Sequence, residues 1–163
     1  MNNTAELLRL INNLIRFGTI AEVDHGEPGK RLPCVRVKIG ELLTTWLVWQ
    51  EARAGTTRTW CPPTVGEQVL VLAPGGDLAG AAVLPGFFRT QHPAPCNSPD
   101  LFHAVMPDGA SFEYNHAAHR LHAVTGPSSI TMDRSRILLS TNGSTLEMDA
   151  AGIRLNGSRI DLN

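Results

Sequence analysis

The sequence predicts a mainly β chain in three parts: a short N-terminal helix, a small barrel, and a repetitive β segment that completes its core against copies of itself. The repeat is the strongest of the observations behind this. From Ser128 onward the chain reads SITMDRS, RILLSTNGS, TLEMDAA, GIRLNGS, RIDLN. An apolar pair at i and i+2 returns each time: Ile130 and Met132, Ile137 and Leu139, Leu146 and Met148, Ile153 and Leu155, Ile160 and Leu162. Their first members are 7, 9, 7 and 7 residues apart, with Asp, Asn, Ser or Gly in every gap. Such pairs share one face of a strand, and the gap residues form turns. A coiled coil would instead alternate apolar spacings of 3 and 4 with few glycines. Short self-similar units of two apolar residues are stable only when stacked on more of the same.

The second observation is a run of β patterns before the repeat. IRFGTIAEVD, PCVRVKIG, TWLVWQ, EQVLVLA and LAGAAVLPGF are apolar or alternating stretches separated by turn-rich sequence. Five short strands in about 75 residues suit a small closed barrel of the OB type, which leaves few free edges. Pro74, Gly75, Gly76 and Asp77 read as the turn between the last two strands. Trp46, Trp49 and Trp60 are expected to pack in the core or under loops; as a base-stacking platform they lack flanking Lys and Arg.

The third is helical spacing at the N-terminus. Leu7, Leu8, Leu10, Ile11 and Leu14 fall on one stripe, with Thr4 available as N-cap. A helix of three turns is marginal alone, so it docks either on its own domain or on a neighbouring subunit. Four segments follow: the helix at 1–14, the OB-type domain at 15–88, a linker at 89–100 and a repetitive β domain at 101–163. The linker, RTQHPAPCNSPD, has three prolines and no periodicity. Beyond it, Phe112 with Tyr114 and Leu121 with Ala123 carry the pairing backward, and the Asp-Gly of MPDGA marks a hairpin.

Composition narrows the function. A net charge of −1 argues against a protein that lives on phosphate contacts. Cys34, Cys61 and Cys96 are odd in number and outside any CxxC, which fits reduced thiols and synthesis in the cytosol. No signal-like region and no membrane-length apolar run is present in the sequence. No nucleophile elbow, zinc signature, phosphate-cradling loop or paired carboxylates stand out, so no catalytic residues, small-molecule substrate or required cofactor are expected. His116, His119 and His122 invite a metal reading, but residues three apart in a strand face opposite sides. Asn142-Gly143-Ser144 and Asn156-Gly157-Ser158 match a glycosylation pattern and are read as turns.

The block RAGTTRTWCPPTVGEQVLVLAPGGDLAGAAVLPGFF, with TTWLVWQEA before it and LFHAVMPDGASFEYN after it, resembles the baseplate assembly protein V family. These are the central spikes of contractile-tailed phages and R-type pyocins, and spikes of type VI secretion systems are similar. The likeness covers about residues 5 to 115 and is most specific from Arg53 to Gly76; beyond that it is one of kind. It implies a homotrimer made in the host cytoplasm and carried at the tail tip of a virion or pyocin particle. Its OB-fold collar would sit on the baseplate hub and tail tube. An intertwined triple-stranded β-helix would pierce the target outer membrane. The expected trimer core is Phe112, Tyr114, Leu121, Ile130, Met132, Ile137, Leu139, Leu146, Met148, Ile153, Leu155, Ile160 and Leu162.

Spikes of this family often end in His-x-His, where six imidazoles from three chains hold iron. Here the last histidine is His122 and the sequence ends RIDLN, so an apical iron is expected only if such a motif follows. Axial ions among inward Ser, Thr or Asn side chains stay open. Seven or eight strands at about 4.8 Å would give a shaft of roughly 35 to 40 Å. Two other readings compete: an OB-fold nucleic-acid-binding protein with a β-rich oligomerisation tail, and a hydrolase of the cell envelope.

Overall fold

The computed structural model describes residues 3–161. Leu162 lies outside them. The chain divides into two units, Met1–Pro93 and Ala94–Asn163.

In the first unit, α1 (Asn3–Asn13) leads into β1 (Ile15–Asp24), followed by β2 (Cys34–Ile39), β3 (Leu42–Leu43), β4 (Val48–Trp49), β5 (Gln68–Leu72) and β6 (Ala82–Phe87). They form one sheet in the order β3-β2-β1-β5-β6-β4. The sheet curls, because Leu47 beside β4 exchanges two backbone hydrogen bonds of 2.8 Å with Val35 of β2. The result is a half-barrel rather than the closed barrel expected. The TWLVWQ run contributes a strand of two residues, and Gly55, Pro62, Pro63 and Gly66 in the stretch after it deny any further ladder.

Inside the curl, Ile20, Val35, Val37, Ile39, Leu47, Trp49, Val69, Val71, Ala73, Ala81 and Val83 are buried. Val35, Val37 and Ile39 alternate inward along β2, as do Val69 and Val71 along β5. Two glycines let backbones close up. A Cβ on Gly18 would stand 2.4 Å from Val37 Cγ1. One on Gly76, whose φ is +76°, would stand 2.3 Å from the carbonyl oxygen of Leu10. That contact seats α1 on the Pro74–Gly76 turn, with Ala73 N–H donating to Leu14 O at 2.9 Å. Residues 89–93 belong to this unit, and Arg89 Nη1 donates to Gly66 O at 2.9 Å.

The second unit is one seven-stranded antiparallel sheet: β7 (Leu101–Val105), β8 (Ser111–Asn115), β9 (Arg120–Thr125), β10 (Ser128–Met132), β11 (Arg136–Thr141), β12 (Ser144–Asp149) and β13 (Gly152–Asn156). Each strand pairs with its neighbours in sequence. The turns carry the chemistry the spacing predicts. Asp108 and Asp149 accept from backbone N–H groups two residues on, and Asn142 and Gly143 take φ of 47° and 83° in a two-residue turn.

This corrects the intertwined β-helix: a single chain contains no such helix, but a meander. Tight turns reverse the chain after every strand, so the inner strands already have both backbone edges paired within the chain. Strands of other copies have no inner position left to enter, and in this sheet, among the described residues, β7 and β13 are the strands that keep a free edge.

Candidate functional site

Register turns the seven apolar pairs into two continuous rows. In one, Ala104 faces Phe112, which faces Ala123, and the row continues through Ile130, Leu139, Leu146 and Leu155. In the other, Phe102, Tyr114, Leu121, Met132, Ile137, Met148 and Ile153 align in the same way. All lie on one face, since positions two apart along a strand point the same way. Ile160, past the last strand, lines the same shallow depression of about 490 Å³ as Ile130, Leu139, Leu146 and Leu155. The structure thus brings together every residue expected in the core except Leu162.

This face is bare. Phe102, Phe112, Tyr114, Ile130, Met132, Leu139, Ile153 and Leu155 are between 36% and 69% exposed, and no described residue of the second unit is buried. A contiguous apolar band of this kind marks an interaction surface.

The opposite face is polar. Its central line runs His103, Glu113, His122, Thr131, Leu138, Glu147 and Arg154 in register. Glu147 sits between Arg136 at 3.1 Å and Arg154 at 3.2 Å. Hydrogen bonds from Arg136 and then Arg154 hold its carboxyl below the usual range. Arg154 does the same for Asp149, and the Ser135 hydroxyl and backbone N–H for Asp133. Glu113 pairs with Arg120 at 3.0 Å, and His122 Nδ1 lies 2.9 Å from Thr131 Oγ1. One face therefore suits water and the other does not.

His116 and His119 fall in the turn after β8, while His122 is on β9, so the three do not converge. Among the described residues no group of three His, Cys, Asp or Glu side chains is placed to hold a metal. Nor is any described helix long and apolar enough to cross a membrane.

The tryptophans divide. Trp49 is in the core, whereas Trp46 and Trp60 are exposed, contrary to expectation. Trp46 lies under Arg36, and Trp60 leans on Trp49 with ring centroids 5.8 Å apart. Glu51 organises this corner by accepting from Cys61 N–H at 2.8 Å, Thr59 Oγ1 at 2.9 Å and Trp49 Nε1 at 3.2 Å. The Cys61 amide first, then Trp49 and Thr59, lower its pKa. Pattern reading also missed Phe102, although Phe102-x-Ala104 carries the same signal as the later pairs.

Residues 16–88 match the family model of the type VI secretion system/phage-baseplate injector OB domain. The spike protein of Escherichia phage P2 is 47% identical over 112 residues, which cover 69% of this chain and 51% of the phage protein. This chain belongs to the baseplate assembly protein V family. It spans about half the length of that relative. In this family member the OB half-barrel carries the family signature, and the bare apolar face belongs to the sheet that follows.

Proposed function

We propose that this chain is a structural spike of a contractile tail, built from three copies whose C-terminal sheets bring their apolar faces together. The observation that carries the reading is the pair of unbroken apolar rows on a sheet with no second layer. Three such faces around one axis form a closed prism with the charged faces outward. Every inner strand keeps its own chain's hydrogen bonds, so the copies pack by side chains rather than by interleaving. Each large apolar side chain contributes about 1.5 to 3 kcal/mol when fully buried, and twelve per chain wait on these rows. Half that burial already rivals the roughly 4 to 15 kcal/mol cost of association.

Seven strands span six gaps of about 4.8 Å, or about 29 Å, close to the ~30 Å hydrocarbon core of a bilayer. In this reading the OB units attach to the baseplate hub and tail tube, and the prism is driven through the target's outer membrane. The work is mechanical: sheath contraction supplies the energy, and the role needs neither catalysis nor a cofactor. Likeness to a phage spike supports the tail-tip placement.

Particles carrying Leu139→Asp test this. Without a closed spike they should fail to permeabilise cells, while particles with the native chain release a periplasmic marker. Equal release by both would reject piercing by this sheet. A second reading has one observation behind it: Trp60 shares a groove with Arg31, Arg53 and Arg58, as in a single-strand platform. Filter binding that weakens steeply with salt would favour that reading.

A further inference from the structure

The apolar face of the C-terminal sheet differs between the two ends of its strands. Beside the row through Ile130, Leu139, Leu146 and Leu155 runs a third row on the same face. In it Thr125 faces Ser128, Ser128 faces Thr141, and Thr141 faces Ser144. Ser128, Thr141 and Ser144 line the depression of about 490 Å³ together with that apolar row. The turns at this end, 125–128 and 141–144, carry no charge. At the opposite end the row through Met132, Ile137 and Met148 runs straight into turns that hold Asp133, Arg134, Arg136 and Asp149.

One group at each end is left without its usual partners. Arg136 pairs with Asp133 and Glu147, whereas the exposed Arg134 makes no ion pair among the described residues. Ser128 Oγ and Thr141 Oγ1 share one hydrogen bond of 2.6 Å, so both oxygens keep lone pairs for a further donor.

A cyclic trimer relates its copies by rotation without translation. Each strand then stands at the height of the same strand in the other copies, and at every corner one end of a sheet meets the opposite end of the next. We propose that the hydroxyl end of each sheet receives the Met132 end of its neighbour. The neighbour's Met132, 45% exposed in the single chain, enters the depression beside Ile130 and Leu139, where an unbranched thioether adapts to the space. The neighbour's Arg134 donates to the Ser128 and Thr141 hydroxyls. Small side chains in the third row let the two sheets approach; a third row of large ones would hold them apart. This contact rests on the trimer proposed above and specifies how its corners close.

Cross-linking across the corner tests it. The full chain carries Ser128→Cys and Arg134→Cys, with Cys34→Ser, Cys61→Ser and Cys96→Ser removing the native thiols. Within one chain the two new thiols lie at opposite ends of β10, about 20 Å apart, beyond a short bis-maleimide. The reagent should give a ladder of two and three linked chains on a denaturing gel. Either new cysteine alone should give single chains, because like sites stand a strand length apart. A double variant that scatters light as a trimer but runs as single chains overturns the corner and leaves the trimer standing. A ladder from Ser128→Cys alone would bring like ends together and overturns the corner too. A native chain that scatters as a monomer overturns both. Should the double variant fail to assemble, Arg134→Ala in the native background decides. It should raise the concentration at which the trimer dissociates by roughly tenfold, as the loss of three hydrogen bonds of modest net worth does, and an unchanged value overturns the proposal.

Discussion

The two units use similar residues to opposite ends. The OB unit curls one sheet until eleven apolar side chains are sealed inside. The C-terminal unit lays fourteen apolar side chains in two rows and seals none of them among the described residues. The difference lies in connection, not composition. Unit one uses a ten-residue β1 that pairs with both β2 and β5, a parallel β4–β6 contact and the Val35–Leu47 bridge to bend the sheet on itself. Unit two reverses after every short strand, so it stays a single layer. An apolar sheet face with no second layer in its own unit is the basis of the trimer proposed above.

Substitutions that act on one unit alone sharpen this contrast. The largest effect is expected from Leu139→Asp, at the middle of an apolar row. In the proposed trimer it would bring three like charges together without partners, and sedimentation velocity should show single chains in place of three-copy assemblies, with far-UV dichroism retained. Retention of a trimer with unchanged melting would break the contrast.

Next comes Leu47→Ala, which opens a cavity in a side chain only 2% exposed. It should cost about 2 to 5 kcal/mol and lower the melting of the OB unit in calorimetry, while the assembled mass stays the same. Gly143→Ala places a side chain at φ of 83° and should cost about 1 kcal/mol, visible as a small fall in denaturant midpoint.

The smallest effect belongs to the polar face. Asp133, Glu147 and Asp149 titrate below their ordinary values. Their contribution is complete above the ordinary carboxylate range near about 4 and fades as pH falls through the lowered values. All three are only half-buried at the sheet surface and stay in contact with solvent, so Glu147→Gln at neutral pH should leave melting nearly unresolved from the native chain. The native melting temperature should decline modestly between pH 5 and pH 3 in a thermal scan.

The rows themselves were legible in sequence, because a period of two punctuated by Asn-Gly, Asp and Ser turns has one physical reading. Which strands pair was not. Periodicity says which face Ile130 and Met132 share, yet not that Ile130 meets Leu139 of the same chain rather than of another. That gap separates the β-helix expected from the meander found. Trp46 and Trp60 were misplaced for a related reason: aromatic rings are usually buried, and exposure is a tertiary property. The helix was legible from its stripe, but the bareness of Leu7, Leu8 and Ile11 depends on Gly76 receiving Leu10 instead.

The account stands or falls on the mass of the purified full chain in dilute solution, measured by multi-angle light scattering. It predicts about 53 kDa, three times the 17.6 kDa chain. A stable species at the mass of one chain, with its two apolar rows open to water, would contradict it.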